Sequence, residues 1–366
     1  MGCLKKPVWT DYTGAELKKI SVDAPDEEAR KQVLRNWDSI AKPLDGLGKF
    51  ETLTAKIGAA TGSDELNLSR KAVIIMCADN GIVEEGVSQS GQEVTTLVAK
   101  EMAAHESSVG KMAAQAGADT IPVDIGINSG EQIEGVIPKK IRRGTRNFLR
   151  EPAMTEEETV RAIAAGIDMV SVCRDMKYGI LATGEMGIGN TTTSSAVTAA
   201  LLHCEPELVT GRGAGLTDAK LLKKQQVIRQ AIGQYDLYHA DPLRILQTVG
   251  GLDIAGLAGV CIGGALYHVP VVLDGVISMA SALLAERLVP GTREYLIPSH
   301  MGKEPASKLL SRELGLEPVI TADLALGEGT GAVMMFALLD LALSVYRGRT
   351  TFSDIQMDAY ERYDTI

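Results

Sequence analysis

At 366 residues, with 45% apolar and 23% charged side chains, the chain has room for one or two globular domains with a full hydrophobic core. A net charge of −10 argues against a nucleic-acid binder, because phosphate contacts need clustered Lys and Arg. Aromatics at only 4% beside 38 glycines favour sites lined by backbone, where helix N-termini hold a small anion.

Met1-Gly2-Cys3-Leu4-Lys5-Lys6 begins like a myristoylation signal but carries Lys6 where Ser or Thr is needed, and no apolar signal core follows it. Residues 15–60 read as helices of mixed charge, broken at Lys42-Pro43-Leu44-Asp45-Gly46-Leu47-Gly48, and dock beside the main domain. Short β-branched runs then alternate with long helical patterns, the signature of βαβ units and a mostly parallel sheet. Ala72 to Cys77 ends at Asp79-Asn80-Gly81, and a helix covers about 93–116. Thr120 to Val123 ends at Asp124-Ile125-Gly126, followed by a basic segment (Arg142, Arg143, Arg146) and a helix near 155–175. Gly179 to Ala182 ends at Glu185, Val269 to Leu273 at Asp274-Gly275, and Tyr295 to Ile297 at Ser299-His300. A sixth run, Pro318 to Ile320, leads towards Glu328, and the polar tail from about 346 to 366 reads as a surface helix. The most apolar segment, 254–285, is interrupted by His268 and Asp274 and dotted with glycine, so it reads as core and no membrane span is expected.

Five cysteines (Cys3, Cys77, Cys173, Cys204, Cys261) are odd in number, widely spaced and without a CxxC pair, as expected of reduced thiols in a cytoplasmic protein. Five histidines lack HExxH or other ligand spacing, so neither a metal site nor a cofactor is expected.

Asp79, Asp124, Glu185 and Asp274 each follow a strand and sit near glycine, on the edge where open α/β sheets bind ligands. Acids converging there suit hydroxyls and a developing positive charge; taken singly, each also fits a turn or a cap. Leu326-Gly327-Glu328-Gly329-Thr330-Gly331 runs into an apolar helix, where the lone acid is either a general base or the cap of its own helix. Burial should raise the pKa of Glu328 while the helix dipole opposes. In Gly184 to Ser195, Gly187 and Gly189 let N–H groups turn inward, and Asn190 and Thr191 add donors, making a phosphate cradle or a polar cap. Gly211 to Asp218 is a second glycine loop, with Lys224 further along as a point charge for phosphate or a solvated residue. No GxxxxGK[ST] or GxGxxG occurs, and no GxSxG elbow accompanies Ser299-His300, which sets aside NTP, dinucleotide and triad-hydrolase readings.

Together these stretches resemble the nicotinate-nucleotide:dimethylbenzimidazole phosphoribosyltransferase family. The resemblance rests on Gly48-Lys49-Phe50-Glu51, Ala78-Asp79-Asn80-Gly81, Glu85-Gly86-Val87-Ser88, Glu93-Val94-Thr95, Val123-Asp124-Ile125-Gly126, Gly144-Thr145-Arg146-Asn147-Phe148, Glu185 to Thr192, Gly211 to Asp218, Leu273-Asp274-Gly275, Ser299-His300 and Leu326 to Gly331. It spans about residues 40–345, and its most specific motifs are GEMGIGNTT and LGEGTG. The resemblance implies a large α/β domain over 66–345 with a Rossmann-like parallel sheet flanked by helices. A small helical domain would be built from 1–65 and 346–366. It implies transfer of the phosphoribosyl group of nicotinate mononucleotide to an aromatic base, with Glu328 as general base and Glu185 as second acid. Substrate-binding positions are implied at Gly187, Gly189, Asn190, Thr191, Gly213, Lys224, Asp274 and Leu326, and in the base-recognition loop at Ser88 and Gln92. Family members often carry His where Asn80 stands and Pro where Gly91 stands. The acceptor is therefore open among benzimidazoles, adenine and phenols such as p-cresol. The partner is a second copy or a paralogous subunit, and a non-catalytic paralogue is the alternative role.

Overall fold

The β-branched runs assemble into one sheet. In the computed structural model, which describes residues 13–362, six parallel strands lie in the order β3-β2-β1-β4-β5-β6. They are β1 Lys71–Ala78, β2 Ala118–Gly126, β3 Ile137–Pro138, β4 Ile180–Met186, β5 Val271–Leu273 and β6 Leu296–Pro298. Strand β1 is buried along its whole length and carries no polar residue after Lys71, as a central strand covered on both faces must. Met76 pairs with Val123 on one side and Glu185 on the other, so β1, β2 and β4 end on the same edge. The chain leaves β1 towards β2 and β3 and returns to β4 on the opposite side, which opens a ligand crevice at that reversal.

Helices α1 Gly14–Leu17, α2 Glu27–Ser39 and α3 Lys49–Thr61 precede the sheet, and α4 Glu93–Ala103 and α5 Ser108–Gln115 follow β1. Helix α6 Glu156–Asp175 leads to β4. Then α7 Asn190–Leu202, α8 Asp218–Tyr235, α9 Pro242–Val249 and α10 Leu252–Tyr267 separate β4 from β5. Helix α11 Val276–Leu288 precedes β6, and α12 Ala306–Leu314 and α13 Thr330–Arg347 follow it. Alternation along β1 sorts the core into two layers. Ala72, Ile74, Met76 and Ala78 face a cluster with α6, α7, α10 and α11. Val73, Ile75 and Cys77 face another, with α2, α3, α5 and α13. The segment 254–285 is core, as expected. Helix α10 crosses α6 so closely that a Cβ on Gly259 would sit 2.0 Å from the Ile163 carbonyl oxygen. Helix α13 is long and apolar enough to cross a membrane, but 56% of it is buried and its Asp340 pairs with Lys71 at 2.7 Å on the sheet.

Four sequence expectations need amending. The helix over 93–116 is two, because His105 takes φ 59° and Ser107 caps α5 by accepting the Gly110 N–H at 3.2 Å. Pro318 to Ile320 is no strand: Val319 and Ile320 both donate to the Ser299 carbonyl just past β6, which leaves one parallel bridge, from Ile320 to His300. Strand β3 escaped notice, being two residues long. The described part of the tail is not helical beyond a short turn at Ser353–Ile355. Its backbone bonds to residues 39–41 at the end of α2 instead, with Ala41 donating to the Thr350 carbonyl at 2.9 Å and Phe352 to Ser39 at 3.1 Å, and Arg362 clamps Asp38 and Asp45 at 2.7 and 2.8 Å. Of the described cysteines, Cys77, Cys173, Cys204 and Cys261 are free thiols, and Met1 to Lys6 lies outside the described residues.

Candidate active site

Gly327, Glu328 and Gly329 hold left-handed backbone in succession, with φ 86°, 62° and 96°. Glycine does so freely; for Glu328 it costs about 1–2 kcal/mol. The surroundings enforce it. Asp274, just past β5, accepts the N–H groups of Gly329 (3.3 Å), Gly331 (2.8 Å) and Ala332 (3.2 Å), capping α13. From below, the Glu328 carbonyl oxygen lies 2.5 Å from where a Cβ of Gly184 in β4 would stand. Glu185 Oε1 comes within 2.6 Å of the Cβ position of Gly327, so the two acids bracket one glycine.

Burial pushes the Glu328 carboxyl above its ordinary range; the Val109 N–H, in the first turn of α5, pulls it down and Asp274 adds to the rise. The opposing dipole therefore comes from α5 rather than α13, whose first N–H groups Asp274 already uses. Glu328 Oε2 is buried without a hydrogen-bond partner.

Glu185 is pushed up to about 8, first by burial and then by Asp253 and Asp274, with Glu328 adding and the Asn190 amide opposing. Its Oε2 accepts from Asn190 Nδ2 in the first turn of α7. A carboxyl in that state is neutral at pH 7 and can donate a hydrogen bond. Asp253, fully buried at the start of α10, is pushed up to about 6 by burial, while the Ile254 N–H and the amides of Asn190 and Asn80 hold it down.

A cavity of about 210 Å³ opens at this edge, and its wall includes Glu185, Gly187, Asn190, Thr191, Gly213, Asp274, Leu326 and Glu328. Ser88, Gln92, Gly189 and Lys224 are not on that wall. The Ser88 hydroxyl accepts from Ser90 N–H at 3.3 Å, and the Gln92 amide bridges the Asn80 carbonyl (3.2 Å) and Asn128 (2.7 Å). Gly189 is glycine because φ is 96° and a Cβ would meet Val83 at 2.8 Å. Lys224 is buried behind Thr191, its ammonium donating to Thr191 Oγ1 at 3.0 Å and the Gly211 carbonyl at 3.2 Å, and burial pulls it down to about 8. Two of the strand-end acids are loop ties away from the cavity wall: Asp79 accepts from Thr95 (2.6 Å) and Asn128 N–H (2.7 Å), and Asp124 pairs with Lys140 at 3.1 Å.

Sequence reasoning missed part of the wall. Some N–H groups of the expected cradle have protein acceptors, Ile188 donating to Thr95 Oγ1 (3.2 Å) and Asn190 to the Gly187 carbonyl (3.1 Å). The first turn of α11 also faces the cavity through Val276, Ile277 and Ser278; it has no side-chain cap, and the Ser278 hydroxyl is buried without a partner. His300, Lys303 and Glu304 also line the cavity. Ser299 Oγ donates to the Leu273 carbonyl at 2.6 Å and lies 3.0 Å from His300 Nδ1, so His300 supports the fold around Gly331 rather than a nucleophile. The strand-end rule that singled out Glu185 and Asp274 also points to His300 and to the start of α11.

The phosphoribosyltransferase family model matches residues 22–357. A nicotinate-nucleotide–dimethylbenzimidazole phosphoribosyltransferase from Acetivibrio thermocellus is 42% identical over 92% of this chain and 95% of its own. One from Clostridium perfringens is 42% identical over 88% of this chain and 89% of its own. The crystal structure of CobT from Thermus thermophilus superposes with a TM-score of 0.86 at 36% identity, covering 90% of this chain and 99% of that one. With a paired-acid cavity at the carboxyl edge of a parallel sheet and these relatives matched over most of its length, the chain belongs to the nicotinate-nucleotide–dimethylbenzimidazole phosphoribosyltransferase family and is a pentosyltransferase.

Proposed function

We propose that the chain moves the phosphoribosyl group of nicotinate mononucleotide to an aromatic lower-ligand base, giving an α-ribotide and nicotinate, with Glu328 as general base. The observation that carries this reading is the shared cavity wall: Glu328 and Glu185 stand with the first turns of α7 and α11, and Lys224 lies behind Thr191. Nicotinate bonded to the sugar is a pyridinium and leaves as a neutral ring without an acid. The acceptor attacks the opposite face and must shed its N–H or O–H proton, so one base suffices. A carboxylate pushed above its usual range takes that proton better than an exposed one at neutral pH. Neutral Glu185 donates to the sugar, and the uncapped helix tips take the phosphate. The acceptor belongs to the benzimidazole, adenine or phenol class.

The two chain ends form a small module beside the catalytic domain, supported by the backbone bonds between 39–41 and 350–352. A second copy or a paralogous subunit covers the outer face of α13, where Met334, Leu341 and Val345 are exposed. The test is to incubate the purified chain with nicotinate mononucleotide and a panel of benzimidazoles, adenine and phenols. Free nicotinate with one acceptor is the expected result. Release that needs a paralogous chain and is undiminished by Glu328→Gln in this one would instead mark a non-catalytic subunit.

A further inference from the structure

One anion on the cavity wall has no part in that chemistry. Glu304 lies on the loop between β6 and α12, and its carboxylate crosses to the glycine loop at 211–215. Oε1 accepts the Gly213 N–H at 3.1 Å, and Oε2 lies 1.9 Å from where a Cβ of Gly211 would stand. The Gly211 carbonyl is itself an acceptor for Lys224. Lys224 is fully buried with only neutral acceptors, and no carboxylate among the described residues forms an ion pair with it. Glu304 is the charge that favours its ammonium form against burial.

We infer that Glu304 is an internal substitute for the donor's phosphate, occupying the Gly213 N–H beside Lys224 in the empty enzyme and withdrawing as a phosphate monoester enters. The inference rests on the anionic donor proposed above. An N–H group has one proton to give, so Glu304 and a phosphate oxygen cannot both take that of Gly213. Two anions sharing a part-buried pocket also repel strongly. Gly302 and Lys303 precede Glu304, so its side chain swings away without disturbing a helix. Glu304 thereby fixes the glycine loop before binding and sets how tightly the phosphate is held afterwards.

The probe is inorganic phosphate, titrated at constant ionic strength into the full chain and into Glu304→Gln, with binding read by calorimetry and by Tm. The amide oxygen of Gln can still accept from Gly213, so the loop contact survives while the charge is lost. Phosphate should bind Glu304→Gln about threefold to tenfold more tightly than wild type, as expected for removal of one nearby like charge. The KM for nicotinate mononucleotide should fall in parallel. Lys224→Met should abolish phosphate binding in both backgrounds. Equal or weaker phosphate binding by Glu304→Gln, folded as judged by Tm, overturns the inference while the anion pocket stands. If phosphate binds neither protein, the anion pocket falls as well. Should Glu304→Gln not fold, Glu304→Ala under the same titration decides between the same outcomes.

Discussion

Two glycine turns lead into helices beside the cavity, and the last glycine of each takes nearly the same conformation. Gly189 before α7 has φ 96° and ψ −10°, and Gly329 before α13 has φ 96° and ψ 7°. Neither glycine supplies a side-chain cap, and in both turns Cβ positions are blocked by protein atoms. The residue between the glycines differs. Ile188 keeps ordinary backbone and donates to Thr95, whereas Glu328 is forced into left-handed backbone and leaves one oxygen buried and unpaired. The first turn is a supported scaffold, and the second holds strained backbone at the residue we propose as general base. Glycine pattern alone does not separate them; the non-glycine residue with positive φ does.

The largest effect that would sharpen this contrast is expected from Glu328→Gly. Turnover should fall by ~10²–10⁴ with the base removed. Stability should hold or rise slightly, because about 1–2 kcal/mol of backbone strain disappears against about 0.5–1 kcal/mol of added freedom in the unfolded chain. A clear drop in Tm would mean that the turn is not strained.

Glu185→Gln comes next. In the native protein Glu185 holds its proton up to about 8, against an ordinary 4.5 for the unfolded chain. Below about 4.5 both states are protonated, and from there to about 8 the unfolded chain alone ionises, so wild-type stability declines across that window. The decline is up to about 1.4 kcal/mol per pH unit, and Glu185→Gln should flatten it. Parallel stability curves for the two proteins from pH 5 to 8 would show that Glu185 is ionised at neutral pH. The smallest change is that of Asp274→Ala, which strips a carboxylate from three N–H groups at the start of α13. It should cost about 2 kcal/mol in denaturant unfolding.

The parallel sheet was legible because buried central strands announce themselves as unbroken β-branched runs; the strand-end rule then pointed to Glu185 and Asp274, and the glycine cluster before an apolar helix pointed to Glu328. Alternation could not show β3, whose two residues are too few to carry a period. The tail misled because its bonds run to residues 39–41, more than three hundred positions away, where no local pattern reaches. Asp79 and Asp124 obey the same rule as Glu185, yet both are spent on neighbouring loops. Which acids are spent and which are free depends on partners brought in by other loops. Asp253 was passed over inside an apolar stretch, and Glu304 matters only because the loop at 211–215 folds against it.

The central claim is that the strained carboxylate takes a proton in a cavity that grips the nucleotide by other groups. Single-turnover nicotinate release by Glu328→Gln, measured with the Kd for nicotinate mononucleotide, tests it most directly. The account predicts a rate lower by ~10²–10⁴ with Kd essentially unchanged. An unaltered rate, or a loss of rate matched by an equal loss of affinity, would contradict it.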